Sequence, residues 1–122
     1  MEKYTKKVLL ITKNLMFLPR IEAETGSIAK IKRFTNILDL EKELIDSKII
    51  AVLVDLEDSQ EMWEPILIEL RSRLKTSIIF IAYGPHKNIE LMTKAKKLGC
   101  DYVFAKSVFI SKIRGILKSQ VK

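Results

Sequence analysis

The stretch "AVLVDLED" (residues 51–58) runs four aliphatic side chains into a carboxylate, Asp55, and adds Glu57 and Asp58 just after it. A carboxylate that ends an apolar run has three readings. It can do chemistry at the rim of a sheet, it can be a relic of such chemistry, or it can cap a turn. Few other side chains could join it. His86 is the single histidine; it could titrate near neutral pH or bind a metal. No Cys or His stands at ligand spacing from it, so a hydrogen-bonded loop histidine is the expected reading and no metal site is expected. Cys100, the single cysteine, cannot form an internal disulfide and is expected to be a packed, unreactive thiol. No glycine-rich phosphate loop, nucleophile elbow or His-based triad is visible, so neither enzymatic activity nor a cofactor is expected.

Whatever Asp55 does, other elements must position it. Three continuous apolar runs, "VLLI" (8–11), "IIAVLV" (49–54) and "IIFIA" (78–82), are rich in Val and Ile. They have the composition of strands buried on both faces, as in parallel sheets covered by helices. "SIAKIKRF" (27–34) mixes basic and apolar residues and predicts an edge strand; "DYVFA" (101–105) predicts a short fifth. Helical periodicity fills the gaps. The predicted helices run from about Asn14 to Glu24, over 37–47, over 59–75 with Met62, Trp63, Ile66, Leu67, Leu70 and Leu74 on one stripe, over 88–99 and over 107–119. Pro19 comes slightly late for a first-turn proline, and Pro65 should shift the start of its helix or kink it. Ile68 projects opposite the long stripe, with Trp63 at the stripe's edge.

The order is β-α five times, with short connections and no linker or repeat. That predicts one domain over 1–122, an α/β doubly wound five-stranded parallel sheet of (βα)5 flavodoxin-like topology. Sites in such sheets lie at the carboxyl ends of the strands. Asp55 is at one such end, as are Thr12 and Lys13, residues 82–84, and Lys106.

Those positions carry a resemblance. The chain resembles a response-regulator receiver (CheY-like) domain over nearly its whole length. The resemblance implies that Asp55, in "VLVDL", is the phosphoacceptor equivalent, and that Lys106, in "GCDYVFAKS", is the lysine that pairs with the phosphoryl oxygens. The two adjacent Mg²⁺-binding acids of the family are replaced by Thr12 and Lys13, and the Ser/Thr at the end of the fourth strand by Gly84. The aromatic position three before the lysine is Val103, and the proline after it is Ser107. A carboxylate attacking a phosphoryl donor brings like charges together, and Mg²⁺ in an oxygen-rich pocket relieves this. Losing the acid pair therefore implies a degenerate, pseudo-receiver form, with Lys13 and Lys106 expected to neutralise Asp55 in a metal-free ion pair. "LMFLPRI" (15–21), "YGPH" (83–86) and "KSVF" (106–109) resemble phrases in a less-studied group of receiver-like proteins, which supplies no activity.

Charge is lopsided. Residues 1–69 carry ten Lys/Arg against thirteen Asp/Glu, and residues 70–122 carry twelve against two. The final two helices and the fifth strand thus offer a docking face of Lys94, Lys97, Tyr102, Phe104, Lys112 and Arg114, suited to an acidic protein partner. The expected function is protein–protein interaction in signalling or regulation, without phosphotransfer. The alternatives are an atypical phosphoreceiver modified on Asp55 and a weak nucleic-acid binder using the basic half. Nucleic acid ranks below protein because no base-reading element is apparent. A homodimer is an open expectation. No run is long enough to cross a membrane and no signal peptide is visible, so no membrane association and a cytoplasmic location are expected.

Overall fold

The computed structural model describes residues 6–45 and 48–121. Five parallel strands, β1 (Lys6–Ile11), β2 (Lys30–Phe34), β3 (Lys48–Asp55), β4 (Ile79–Gly84) and β5 (Tyr102–Ala105), form one sheet in the order β2-β1-β3-β4-β5. Each is followed by a helix: α1 (Leu18–Thr25), α2 (Leu40–Ile45, entered through a 3₁₀ turn at Ile37–Asp39), α3 (Gln60–Arg73), α4 (Ile89–Lys97) and α5 (Lys106–Gln120). This is the expected (βα)5 architecture, with the Lys-bearing β2 at an edge, as its composition required. No helix among the described residues is long and apolar enough to cross a membrane. The end of the helix expected over 37–47, and residues 1–5, lie outside the described residues.

The pleat divides the core in two. Leu9, Ile11, Val52, Val54, Phe80 and Ala82 face α2, α3 and α4. Val8, Leu10, Leu53, Ile81 and Tyr83 face α1 and α5. Both faces of the central strands are covered, which explains the continuous apolar runs. Trp63 is fully buried. It lies within the stripe, not at an exposed edge, and Ile68 alone of that helix's large apolar side chains is exposed, at 47%.

Several boundaries moved for local reasons. Asn14 does not cap α1. Its side chain accepts from Met16 N at 2.9 Å and its own N–H donates to Thr12 Oγ1 at 2.9 Å. The turn so formed delays the helix to Leu18. Pro19 then falls in the first turn, where its missing N–H costs nothing. β2 starts only at Lys30 because Ile28 N and Ala29 N still bond back to Thr25 O. α3 begins at Gln60 and runs through Pro65. Met62 N and Trp63 N both bond Ser59 O, and burial of Trp63 fixes that first turn ahead of the proline. Asn88 caps α4, its side chain accepting from Leu91 N at 3.0 Å.

Candidate functional site

Asp55 is the last residue of β3 and is paired in register with Tyr83 of β4. Ile11 pairs with Val54, so Thr12 lies beside Asp55 one step further along. Thr12, Asp55 and Tyr83 thus form a row at the carboxyl rim, pointing to the α1/α5 face. Asp55 is 1% exposed. Its Oδ2 accepts from Thr12 Oγ1 at 2.7 Å and its Oδ1 from Glu57 N at 2.9 Å. The second bond is an Asx-type cap of the β3–α3 turn, so the capping reading of this strand-ending acid is borne out in geometry.

The ion pair expected between Asp55 and Lys106 or Lys13 is not formed. Lys106 Nζ lies 2.9 Å from Glu57 Oε1 and 4.6 Å from the Phe17 ring centroid. Lys13 contributes its backbone: its N–H donates to Asp58 Oδ2 at 2.6 Å, while its side chain is exposed. Glu57 stands two residues beyond Asp55 on an exposed turn, where a long lysine side chain reaches it without burying its charge. Thr12 Oγ1 also lies 3.3 Å from Asp58 Oδ2. Lys13, Asn14, Asp55, Glu57 and Asp58 line one cavity of about 310 Å³. Glu57 and Asp58 are therefore site residues that sequence reasoning passed over. The signal was present in "DLED", two acids directly after the strand end.

Beside Asp55, Tyr83 belongs to an aromatic stack. Tyr83 and Phe109 have ring centroids 4.3 Å apart, and Phe17 sits 5.4 Å from Tyr83. Burial, then the fields of Asp55, Glu57 and Asp58, push Tyr83 far above the usual phenol range. Thr12 eases this slightly, but its contact falls outside hydrogen-bond geometry, and the Tyr83 hydroxyl has no partner among the described residues. Gly84 ends β4 where a Cβ would stand 2.8 Å from Leu56 Cβ. The turn that carries Glu57 and Asp58 packs against it through Leu56, so a side chain at this position would have to displace Leu56.

Burial also pushes the Asp55 carboxyl above its ordinary 3.8, and the nearby Asp58 charge adds to this. The hydrogen bonds from Thr12 and Glu57 N and the field of Lys106 pull the other way, with less effect. The linkage sign follows. Stability from Asp55 is fully present below pH 3.8 and is lost as pH rises through the elevated folded value. Asp55→Asn is thus expected to melt at or above the wild-type temperature at pH 7, with the difference closing toward pH 3. Thermal melts across that range test it; a wild type that is the more stable at pH 7 and loses its lead on acidification would refute it.

The remaining candidates are dispersed. His86 is exposed in the β4–α4 loop. Cys100 is buried, and burial pushes its thiol up to about 12, in keeping with an unreactive packed side chain. α4 and α5 flank the edge strand β5 from opposite faces of the sheet. Tyr102 and Phe104 stack at 5.5 Å, with Tyr102 40% exposed and Phe104 half-buried. Lys97 and Lys112 are exposed. Lys94 pairs with Glu64 at 3.1 Å. Arg114 turns to α1, pairing with Glu24 at 3.3 Å and donating to the carbonyls of Ala23 and Glu24. It belongs to the α1–α5 contact.

The same fold occurs in solved receiver domains. The N-terminal receiver domain of a two-component response regulator from Bacteroides fragilis matches with a TM-score of 0.77 at 14% identity, over 97% of this chain and 98% of that one. A CheY-like protein (tadZ) from Pseudomonas aeruginosa matches with a TM-score of 0.76 at 14% identity, over 94% and 98%. The Mn²⁺-bound form of a response regulator matches with a TM-score of 0.68 at 16% identity, over 91% of each chain. The chain thus has the receiver fold. No protein-family model matches the sequence, and no curated protein matches it.

The fold raises the question of a divalent cation. Such an ion needs several converging oxygens, near-octahedral for Mg²⁺. Among the described residues no three His, Cys, Asp or Glu side chains are grouped to hold a metal. Both Asp55 oxygens already accept hydrogen bonds, and the Glu57 carboxylate is turned to Lys106. The residues as arranged do not fit a metal cage.

Proposed function

We propose that this chain is a degenerate receiver acting as a protein–protein interaction module in cytoplasmic signalling or regulation, without phosphotransfer. The observation that carries the reading is the environment of Asp55. A hydroxyl from Thr12 sits on Oδ2 where phosphotransfer would need metal-bound oxygen, and Lys106 is engaged with Glu57. The first surface for a partner is the β5 edge with Lys97, Lys112 and Tyr102, whose charge suits an acidic protein. Binding there is expected to be constitutive, because a site that takes no phosphoryl group cannot gate it.

One observation favours an atypical phosphoreceiver as the second reading. Asp55 and Asp58 line one cavity, and Lys106 pairs with Glu57 on its wall. Acetyl phosphate with Mg²⁺ or Mn²⁺ separates the two. No mass gain on Asp55 is expected by intact-mass measurement. Stoichiometric, base-labile labelling of Asp55 would replace the first reading with the second.

A further inference from the structure

Eight large apolar side chains are exposed among the described residues, and six of them lie on one rim. Leu15 and Met16 are in the β1–α1 loop, Ile37 and Leu38 in the 3₁₀ turn after β2, Ile89 opens α4, and Val108 is in the first turn of α5. Met16, Leu38 and Ile89 are 90%, 88% and 73% exposed. Singly exposed aliphatics are ordinary, but a collection at the carboxyl ends of the strands is a surface. The acid cavity of Asp55, Glu57 and Asp58 opens in the middle of it.

The apolar tip and the cavity are one device. Asp58 holds the backbone of Lys13, Thr12 Oγ1 takes the N–H of Asn14, and Asn14 takes that of Met16. The loop that projects Leu15 and Met16 is therefore fixed by the acid cluster before any partner arrives, which lowers the ordering cost of binding.

Local charge selects the occupant. The five βα connections with Asp55 and the first helical turns (12–20, 35–39, 55–62, 85–91 and 106–108) carry six carboxylates against four Lys/Arg, on a chain of formal charge +7. Arg33 reaches the rim from β2, donating to the Thr12 carbonyl at 3.0 Å, and brings the bases there to five against the six carboxylates. The sign at the rim is opposite to that of the molecule. It disfavours nucleic acid and anionic lipid there, and it favours a cation flanked by apolar groups. We infer that the carboxyl rim docks a basic amphipathic segment of a partner protein, with a Lys or Arg entering the cavity of Asp55, Glu57 and Asp58 and apolar side chains meeting Met16, Leu15, Leu38 and Ile89. This rests on the interaction-module reading and adds a second surface, of opposite sign to the β5 edge.

The test titrates the ¹⁵N-labelled full chain with three synthetic peptides: an amphipathic Leu/Lys helix, its Leu/Glu counterpart, and the Leu/Lys composition with its periodicity scrambled. The amphipathic Leu/Lys peptide is expected to bind at least tenfold tighter than either other, with amide shifts confined to 13–17, 37–39, 57–61 and 87–90. Met16→Ser with Leu38→Ser is expected to weaken it at least tenfold while leaving Tm unchanged, and Glu57→Gln to weaken it several-fold. Equal binding of the Leu/Glu or scrambled peptide overturns the inference, as do shifts confined to β5 and α5. So does sedimentation with phosphatidylserine vesicles, or self-association, that Met16→Ser abolishes. If partners cross-linked in the native cell bind the Met16→Ser, Leu38→Ser variant at wild-type affinity, the rim assignment fails and the module reading stands. Labelling of Asp55 by acetyl phosphate removes the module reading whatever the peptides do.

Discussion

Phe109→Ala is expected to cost about 3–5 kcal/mol, the range for deleting a buried aromatic side chain, and to lower Tm by roughly 10 °C or more. Phe109 is fully buried near the start of α5. Its ring stacks on Tyr83 at 4.3 Å and lies 6.3 Å from Phe17. Tyr83 stands beside Asp55 in the sheet register, and Phe17 lies under the Lys106 ammonium group. The stack thus adjoins Asp55 through Tyr83 and Lys106 through Phe17, and removing it should loosen the site as well as the fold. Chemical denaturation measures the loss, and amide shifts at Thr12, Asp55 and Lys106 report the coupling. A loss below about 1 kcal/mol, far under the buried-aromatic range, would show that α5 repacks without the ring and that the site does not depend on it.

Gly99→Ala should be the next most damaging change. Gly99 has φ +116°, a region that L side chains rarely adopt, and a Cβ would stand 2.5 Å from Arg71 Cδ. Arg71 packs its guanidinium 4.0 Å over the Phe80 ring, donates to Gly99 O at 3.4 Å and to Lys75 O at 2.9 Å, and lies 3.8 Å from Asp101. Asp101 in turn accepts from Phe80 N at 2.8 Å and donates to Phe80 O at 2.7 Å. One guanidinium therefore joins the end of α3, β4 and the turn into β5. Backbone strain costs about 1–3 kcal/mol and displacing the cation from the ring adds up to about 2. A double-mutant cycle with Arg71→Ala separates the two. In that background the Gly99→Ala penalty should fall toward the strain alone. An unchanged penalty would show that the clash with Arg71 contributes nothing.

The surface predictions depend on which charges are free to act, and here the fold redistributed what composition suggested. Twelve bases in residues 70–122 imply a broad basic face. Arg114 is drawn to α1 and Lys94 to α3, while Lys97, Lys112 and Tyr102 stay exposed. The rim, by contrast, is locally acidic on a basic protein. A net charge says nothing of this, because helix periodicity places neighbours in sequence on different sides of the molecule.

The sequence by itself determined the architecture and the address of the site. Strands buried on both faces must be apolar throughout, and helices packed on one side must be apolar every three or four residues. Five such alternations leave a parallel sheet as the economical fold, and the ends of its strands put Thr12, Lys13, Asp55, Gly84 and Lys106 on one rim. Only the tertiary structure decided who bonds whom there. Thr12 and Asp55 are 43 residues apart, and Lys106 and Glu57 are 49 apart. Residue type and spacing carry no information on a choice among Asp55, Glu57 and Asp58 for one lysine. The β3–α3 turn, packed on Gly84, sets that choice by presenting Glu57 outward and keeping Asp55 buried. A lysine pairs where its ammonium group keeps its water, and that depends on a few ångströms of turn geometry which no periodicity in the sequence records.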